Sequence, residues 1–168
     1  MPADEPTILA TSGGLRDGRR NPYEFSALTG YAVELAGVVG RAPRICFLAT
    51  AQGDNPNVLF SLYCAAAERG YEASHVSLVP MPNVEDIAAR VLDVDVVWVI
   101  GGSVAALLAL WRLHGVDVAM RAAWEAGVVL TGMSAGSICW HVGGTTDSYG
   151  PALRPVTDGI GLDRKSVV

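Results

Sequence analysis

Ser134 stands in Gly132-Met133-Ser134-Ala135-Gly136, directly after the apolar run Val128-Val129-Leu130-Thr131. A strand running into Gly-x-Ser-x-Gly and then into a helix is the context of a nucleophile elbow. The serine sits on a turn so tight that its hydroxyl projects above the carboxyl edge of the sheet. Small residues on both sides let strand and helix close on each other. The chemistry open to such a serine is acyl transfer. The helix start beyond it supplies N–H groups and partial positive charge for a developing oxyanion, with the backbone N–H of Ala135 as first donor.

A second donor has to come from a neighbouring loop at the same edge. Gly101-Gly102-Ser103 follows the buried run Asp95–Ile100 and precedes a helix, so Gly102 can present its N–H with no side chain in the way. Read alone, the same loop is more simply an ordinary strand-to-helix turn or a weak phosphate-binding loop, and the elbow is what raises the oxyanion reading. A serine nucleophile also needs a base. Of the three histidines, His141 would lie roughly 10 Å along the helix that follows Ser134, too far for direct proton transfer. His114 closes a helix beside Gly115, where it suits free carbonyls. His75 falls within a strand. All three read as structural. Asp147, in Thr145-Thr146-Asp147, reads either as a catalytic acid or as a turn-forming Asx residue.

The elements that would position these groups alternate apolar runs with helical patterns, as in a parallel α/β sheet. Strands are expected at Thr7–Thr11, Arg44–Thr50, Ala73–Val79, Asp95–Ile100 and Val128–Thr131. Helices are expected over Tyr23–Val39, from Asn55-Pro56 to Gly70, over Val84–Leu92 after a Met81-Pro82-Asn83 cap, through Leu107, Leu108 and Trp111, from Asp117 to Ala126-Gly127, and from Gly136. Beyond Trp140 the chain is turn-rich, with no clear helix. Arg16, Arg19 and Arg20 fall in the loop after the first strand, at the ligand-binding edge of such folds. They read as a solvated basic loop or, for one of them, as a partner for a substrate carboxylate.

These motifs, taken together, resemble peptidase E, the α-aspartyl dipeptidase branch of the serine peptidases that also includes cyanophycinase. Gly132 to Ser137 followed by Thr145-Thr146-Asp147 carries the likeness. Ile100-Gly101-Gly102-Ser103-Val104-Ala105-Ala106-Leu107-Leu108 adds to it, with Ser103-Val104 where the family more often has Asn-Thr, and Leu48-Ala49-Thr50-Ala51 matches a common strand end. The resemblance covers about Thr7 to Leu162. It implies a three-layer α/β sandwich like that of class I glutamine amidotransferases, and hydrolysis of short peptides with an N-terminal aspartate through an acyl-enzyme. It implies Ser134 as nucleophile, Gly102 and Ala135 as oxyanion donors and Asp147 as the acid. The family keeps its His after the strand equivalent to Asp158-Gly159-Ile160-Gly161-Leu162. Here Asp163-Arg164-Lys165-Ser166-Val167-Val168 follows, so the sheet is expected to be incomplete at the C-terminus. The competing expectation is a non-catalytic α/β module whose open edge favours a partner or a homodimer.

Composition narrows the remaining classes. The chain has 168 residues, 51% hydrophobic and 17% charged, which suits a single folded domain over residues 1–168. A net charge of -5 and the lack of Lys/Arg runs argue against nucleic acid. No apolar stretch approaches the roughly 18 residues of a membrane helix, and the polar start Met1-Pro2-Ala3-Asp4-Glu5-Pro6 points to the cytoplasm. Cys46, Cys64 and Cys139 read as buried thiols without metal-ligand spacing. A cysteine amidotransferase would need a thiol at position 134, and a dinucleotide site would need a Gly-x-Gly-x-x-Gly after the first strand. No cofactor is implied, and the expected partner is a short peptide.

Overall fold

A computed structural model of the chain describes Ala3 and residues 5–162. The first residues of the acidic start (Met1, Pro2 and Asp4) and the tail Asp163–Val168 lie outside the described residues.

The apolar runs form a five-stranded sheet of β1 (Ile8–Thr11), β4 (Arg44–Leu48), β5 (Glu72–Val76), β6 (Val96–Val99) and β7 (Val129–Met133). Their order is β1-β7-β6-β4-β5, and every pairing is parallel. Register brings Thr11 beside Met133, Val99 beside Gly132 and Leu48 beside Val99. The loops after four strands therefore emerge along one edge.

Side chains alternate across a strand, so each β6 residue serves one of two cores. Val97 and Val99 join Leu107, Trp111, Met120 and Trp140 on one face. Val96 and Trp98 join Phe25, Phe47, Leu59 and Leu62 on the other. Helices α1 (Ala27–Leu35) and α2 (Pro56–Arg69) cover the second face. The first is packed by α4 (Val104–His114) and α5 (Val116–Glu125), with α3 (Ile87–Leu92) beside α5. The result is the expected three-layer α/β sandwich.

Helix ends follow local chemistry. Asn55 accepts the Asn57 N–H ahead of Pro56, and Gly70 closes α2 at φ 69°, as an N-cap and a left-handed C-cap should. In α4 the Ser103 hydroxyl accepts the Ala106 N–H.

Several boundaries differ from expectation. The helix expected over Tyr23–Val39 is confined to α1, because Ser26 caps it by accepting the Leu28 N–H. Tyr23–Phe25 is instead strand β3, paired antiparallel with β2 (Leu15–Asp17). The segment after the first strand is thus a hairpin, with Arg16 on β2 and Arg19 and Arg20 in its turn. β5 ends at Val76, short of Val79, because the Asp54 carboxylate takes the N–H groups of Leu78 (2.6 Å) and Val79 (3.0 Å). α3 is capped by Asp86, while Asn83 accepts the Ser77 N–H. Past Trp140 a second hairpin forms, β8 (Gly144–Thr146) against β9 (Arg154–Val156). The segment 158–162 is no strand. It runs irregularly, with N–H groups bonded to the carbonyls of residues 139–142.

Asp95, at the foot of β6, accepts from both Arg41 Nη atoms (2.7 and 2.6 Å) and from the Arg44 N–H (2.7 Å). Burial pushes its carboxyl upward, but the Arg41 pair and the Arg44 N–H outweigh this and hold it below the usual range. A lowered folded pKa contributes stability above the unfolded value near about 4 and loses it as pH falls through the folded value. Asp95→Asn is expected to cost about 2 kcal/mol at pH 7 and to flatten the acid loss below about pH 4. Urea unfolding at pH 7 and pH 3 tests this, and an unchanged acid loss would rule Asp95 out as its source.

Candidate active site

Ser134 follows β7 at φ 54° and ψ -118°, one of two described non-glycine residues with positive φ. This conformation is strained for an L-residue and persists only where the surroundings impose it. The glycines on either side do so by letting backbones approach. A Cβ at Gly132 would lie 2.3 Å from the Gly136 carbonyl oxygen, and one at Gly136 would lie 2.3 Å from the Val99 carbonyl oxygen. β1 fastens the turn from the other side. Ser134 N–H donates to the Thr11 carbonyl (3.2 Å), Thr11 Oγ1 donates to the Gly132 carbonyl (2.8 Å) and Thr131 Oγ1 to the Leu9 carbonyl (2.7 Å).

The helix after Ser134, α6 (Ala135–Ile138), is a single turn. It ends before His141, so the helical rise expected to separate that histidine from Ser134 does not apply. A single turn also has too few aligned peptides for a large dipole. What it offers is local: Ser134 C=O accepts from Ser137 and Ile138 (2.8 and 3.0 Å), and Ala135 N–H donates to no acceptor among the described residues.

The Gly101-Gly102 turn meets this serine directly. A Cβ at Gly101 would be 3.0 Å from Ser134 Cβ and 3.5 Å from its Oγ. Gly102, at φ 143°, has no room for a side chain either, since a Cβ would fall 2.3 Å from the Ala51 carbonyl oxygen. Ser103 N–H donates to that same oxygen at 2.9 Å. The Gly102 N–H, like that of Ala135, has no acceptor among the described residues. Ala135 N–H directly follows the exposed Ser134, and Gly102 N–H belongs to the turn whose Gly101 packs on that serine.

Two clefts open on either side of the elbow. One, of about 290 Å³, is lined by Ala10, Thr11, Ser12, Ser134, Ser137, Ile138 and Thr145. The other, of about 260 Å³, includes Arg16, Asp17, Tyr23, Gln52, Ile100 and Met133. Of the three arginines after β1, only Arg16 reaches this second cleft. It pairs with Glu24 at 2.9 Å, and Glu24 also accepts the Arg19 N–H. An apolar hollow of about 450 Å³ between Val142–Thr145 and Pro155–Thr157 does not include Ser134.

Asp147 is exposed at the end of β8, and its carbonyl accepts the Gly150 N–H at 3.0 Å, as in a turn. Its neighbour Ser148, which carries no sequence signal, is the residue that docks this turn. Ser148 Oγ accepts the Val104 N–H (2.9 Å) at the start of α4 and bonds Thr146 Oγ1 (2.7 Å). Asp147 itself lines neither cleft.

None of the three histidines lines either cleft. His75 Nδ1 bonds the Tyr63 hydroxyl at 2.8 Å, and burial lowers its pKa. His114 ends α4, and His141 is buried. Cys46 and Cys139 are buried, whereas Cys64 is only half-buried. Burial pushes the Cys46 thiol up to about 11 and Cys139 well above its ordinary value, so neither is poised as a thiolate. No group of three or more His, Cys, Asp or Glu is gathered as for a metal among the described residues. No helix among them is long and apolar enough to cross a membrane.

Known proteins share this chain's sequence pattern and fold. The model of peptidase family S51 matches residues 8–168. The uncharacterized peptidase YgaJ of Bacillus subtilis (strain 168) is 46% identical over 109 residues, 65% of this chain and 47% of that protein. A peptidase from an acI-B1 actinobacterium superposes with a TM-score of 0.59 at 18% identity, over 94% of this chain and 64% of its own. A putative peptidase E protein from Listeria monocytogenes EGD-e gives 0.51 at 19%, over 61% and 52%. At these identities the two structures establish the fold. The chain spans about half the length of the curated relative it matches.

Proposed function

The chain belongs to peptidase family S51, and from that premise we propose that it carries the nucleophile and oxyanion half of a serine peptidase acting on short peptides with an N-terminal aspartate. The observation that carries this reading is the strained Ser134, at φ 54° between β7 and α6, with Gly101 pressed against it. In the proposed reaction Ser134 Oγ attacks the scissile carbonyl carbon and gives up its proton to a base. The carbonyl oxygen becomes an oxyanion held by the N–H groups of Gly102 and Ala135. Collapse expels the amine with a proton and leaves an acyl-enzyme, which water then hydrolyses. Asp147 is assigned as the acid that orients the base. That the lining includes no histidine favours a second reading, in which the elbow is retained as architecture in a non-catalytic module.

For the substrate's aspartate we assign Arg16 as the cation, because it shares the second cleft with Met133 and Gln52 and its planar guanidinium suits a carboxylate. Labelling with a fluorophosphonate, mapped by mass spectrometry, tests both readings. The reagent is expected on Ser134, with an Asp-Xaa dipeptide protecting better than Ala-Xaa. Arg16→Ala is expected to remove that difference, about tenfold in protecting concentration, with the labelling rate kept. A folded chain that takes no label establishes the second reading, and undiminished aspartate preference in Arg16→Ala excludes Arg16.

A further inference from the structure

The 3₁₀ turn Thr50–Gln52 follows β4 and lies against the Gly101-Gly102 turn from the side of the second cleft. Gln52 Nε2 donates to the Gly101 carbonyl oxygen at 3.0 Å. Ala51 C=O accepts the Ser103 N–H at 2.9 Å. Gly102 packs so closely that a Cβ would be 3.0 Å from Gln52 Cγ as well as 2.3 Å from the Ala51 oxygen. Both peptide ends of the turn are thus gripped by one short segment.

The consequence follows from peptide geometry. The only cis peptide among the described residues is Val79-Pro80, so the Gly101-Gly102 bond is trans. In a trans peptide the C=O of one residue and the N–H of the next lie in one plane and point in opposite directions. A donor that holds the Gly101 C=O therefore also fixes the Gly102 N–H, and aims it away from Gln52. Two glycines in succession have little of their own to resist rotation of that plane. A hydrogen bond accepted by the carbonyl also polarises the peptide and strengthens its N–H as a donor.

The geometry points to Gln52 as a positioning residue for the oxyanion site: its amide holds the Gly101-Gly102 peptide so that the Gly102 N–H faces the reacting oxygen beside Ser134. This rests on the proposed reading of Ser134 as nucleophile and Gly102 as donor. Gln52 touches no reacting atom. It acts through the peptide plane, and it is exposed in the cleft, so it contributes little packing to the folded core.

Two variants separate orientation from bulk. Gln52→Met keeps the length and loses the donor. Gln52→Glu keeps the shape and, when ionised, presents an acceptor to the Gly101 oxygen. In fluorophosphonate labelling both are expected to lower the maximal labelling rate about tenfold, less than the hundredfold or more typical of deleting an oxyanion donor. Reagent binding should stay within about twofold, because charge on the oxygen develops only in the transition state. Crystal structures of the wild type and Gln52→Met add a readout independent of reactivity: the Gly101-Gly102 peptide plane is expected to rotate in the variant. A labelled wild type with an equally fast Gln52→Met overturns the inference and leaves the Ser134 reading standing. So does an unmoved peptide plane. A wild type that takes no label removes the Ser134 reading and this inference with it.

Discussion

Ser134→Gly is expected to abolish fluorophosphonate labelling and at the same time make the protein harder to unfold. The two effects share one cause. Ser134 is held at φ 54° and ψ -118°, a region that costs a non-glycine residue about 1–3 kcal/mol. Glycine enters it without that penalty, although its freer unfolded chain returns about 0.5–1 kcal/mol. The net gain should be about 1 kcal/mol, or roughly 2–4 °C in Tm for a chain of this size. Ser134→Ala is the necessary partner. It removes the same hydroxyl but keeps a Cβ at the strained position, so it should lose labelling without gaining stability. Denaturant unfolding of the three proteins separates the cases. If glycine and alanine prove equally stable, the turn stores no strain at Ser134.

Gly136→Ala should have the opposite effect on stability and a similar one on reactivity. The added Cβ would lie 2.3 Å from the Val99 carbonyl oxygen, 2.7 Å from its carbon and 2.9 Å from its Cβ. Val99 is fully buried near the end of the central strand β6 and registers with both Leu48 and Gly132. Its backbone cannot retreat without breaking that pairing. The expected loss is about 3 kcal/mol or more, at the upper end for overpacking. Labelling should fall with it, because α6 and the elbow must move off the sheet together. Gly30→Ala provides the comparison within a helix. Nothing lies within 4 Å of a Cβ there, so it should gain up to about 1 kcal/mol from helix propensity. Matched losses in the two variants would show that close packing at Gly136 is not what demands glycine.

The elbow was legible because its signal is local. A strand of Val128-Val129-Leu130-Thr131, two glycines flanking Ser134, and a helix start within a few residues leave the backbone few alternatives. The central strands were legible for a related reason: runs such as Val96 to Val99 are buried on both faces, so nearly every residue is apolar. The two hairpins were not. β2, β3, β8 and β9 are three residues each, too short for alternation to show, and exposed positions such as Arg16 and Thr145 mask their pattern. Tyr23 to Phe25 looked helical because Phe25 and Leu28 share a helical spacing. Ser26 ended that resemblance by capping α1, which starts at Ala27, four residues later than expected.

Sequence alone thus determined the α/β class, the parallel sheet, the helix start at Asn55-Pro56 with its stop at Gly70, and the turn that carries Ser134. Each depends on residues near one another in the chain, where sterics and hydrogen bonding act without help from the fold. Only the tertiary structure decided what lies around that serine. Gln52 meets Gly101 across 49 positions and Ser148 meets Val104 across 44, single polar contacts that no motif announces. They exist because the register of β4, β6 and β7 brings the ends of separate strands to one edge, and register is a property of packing between distant segments.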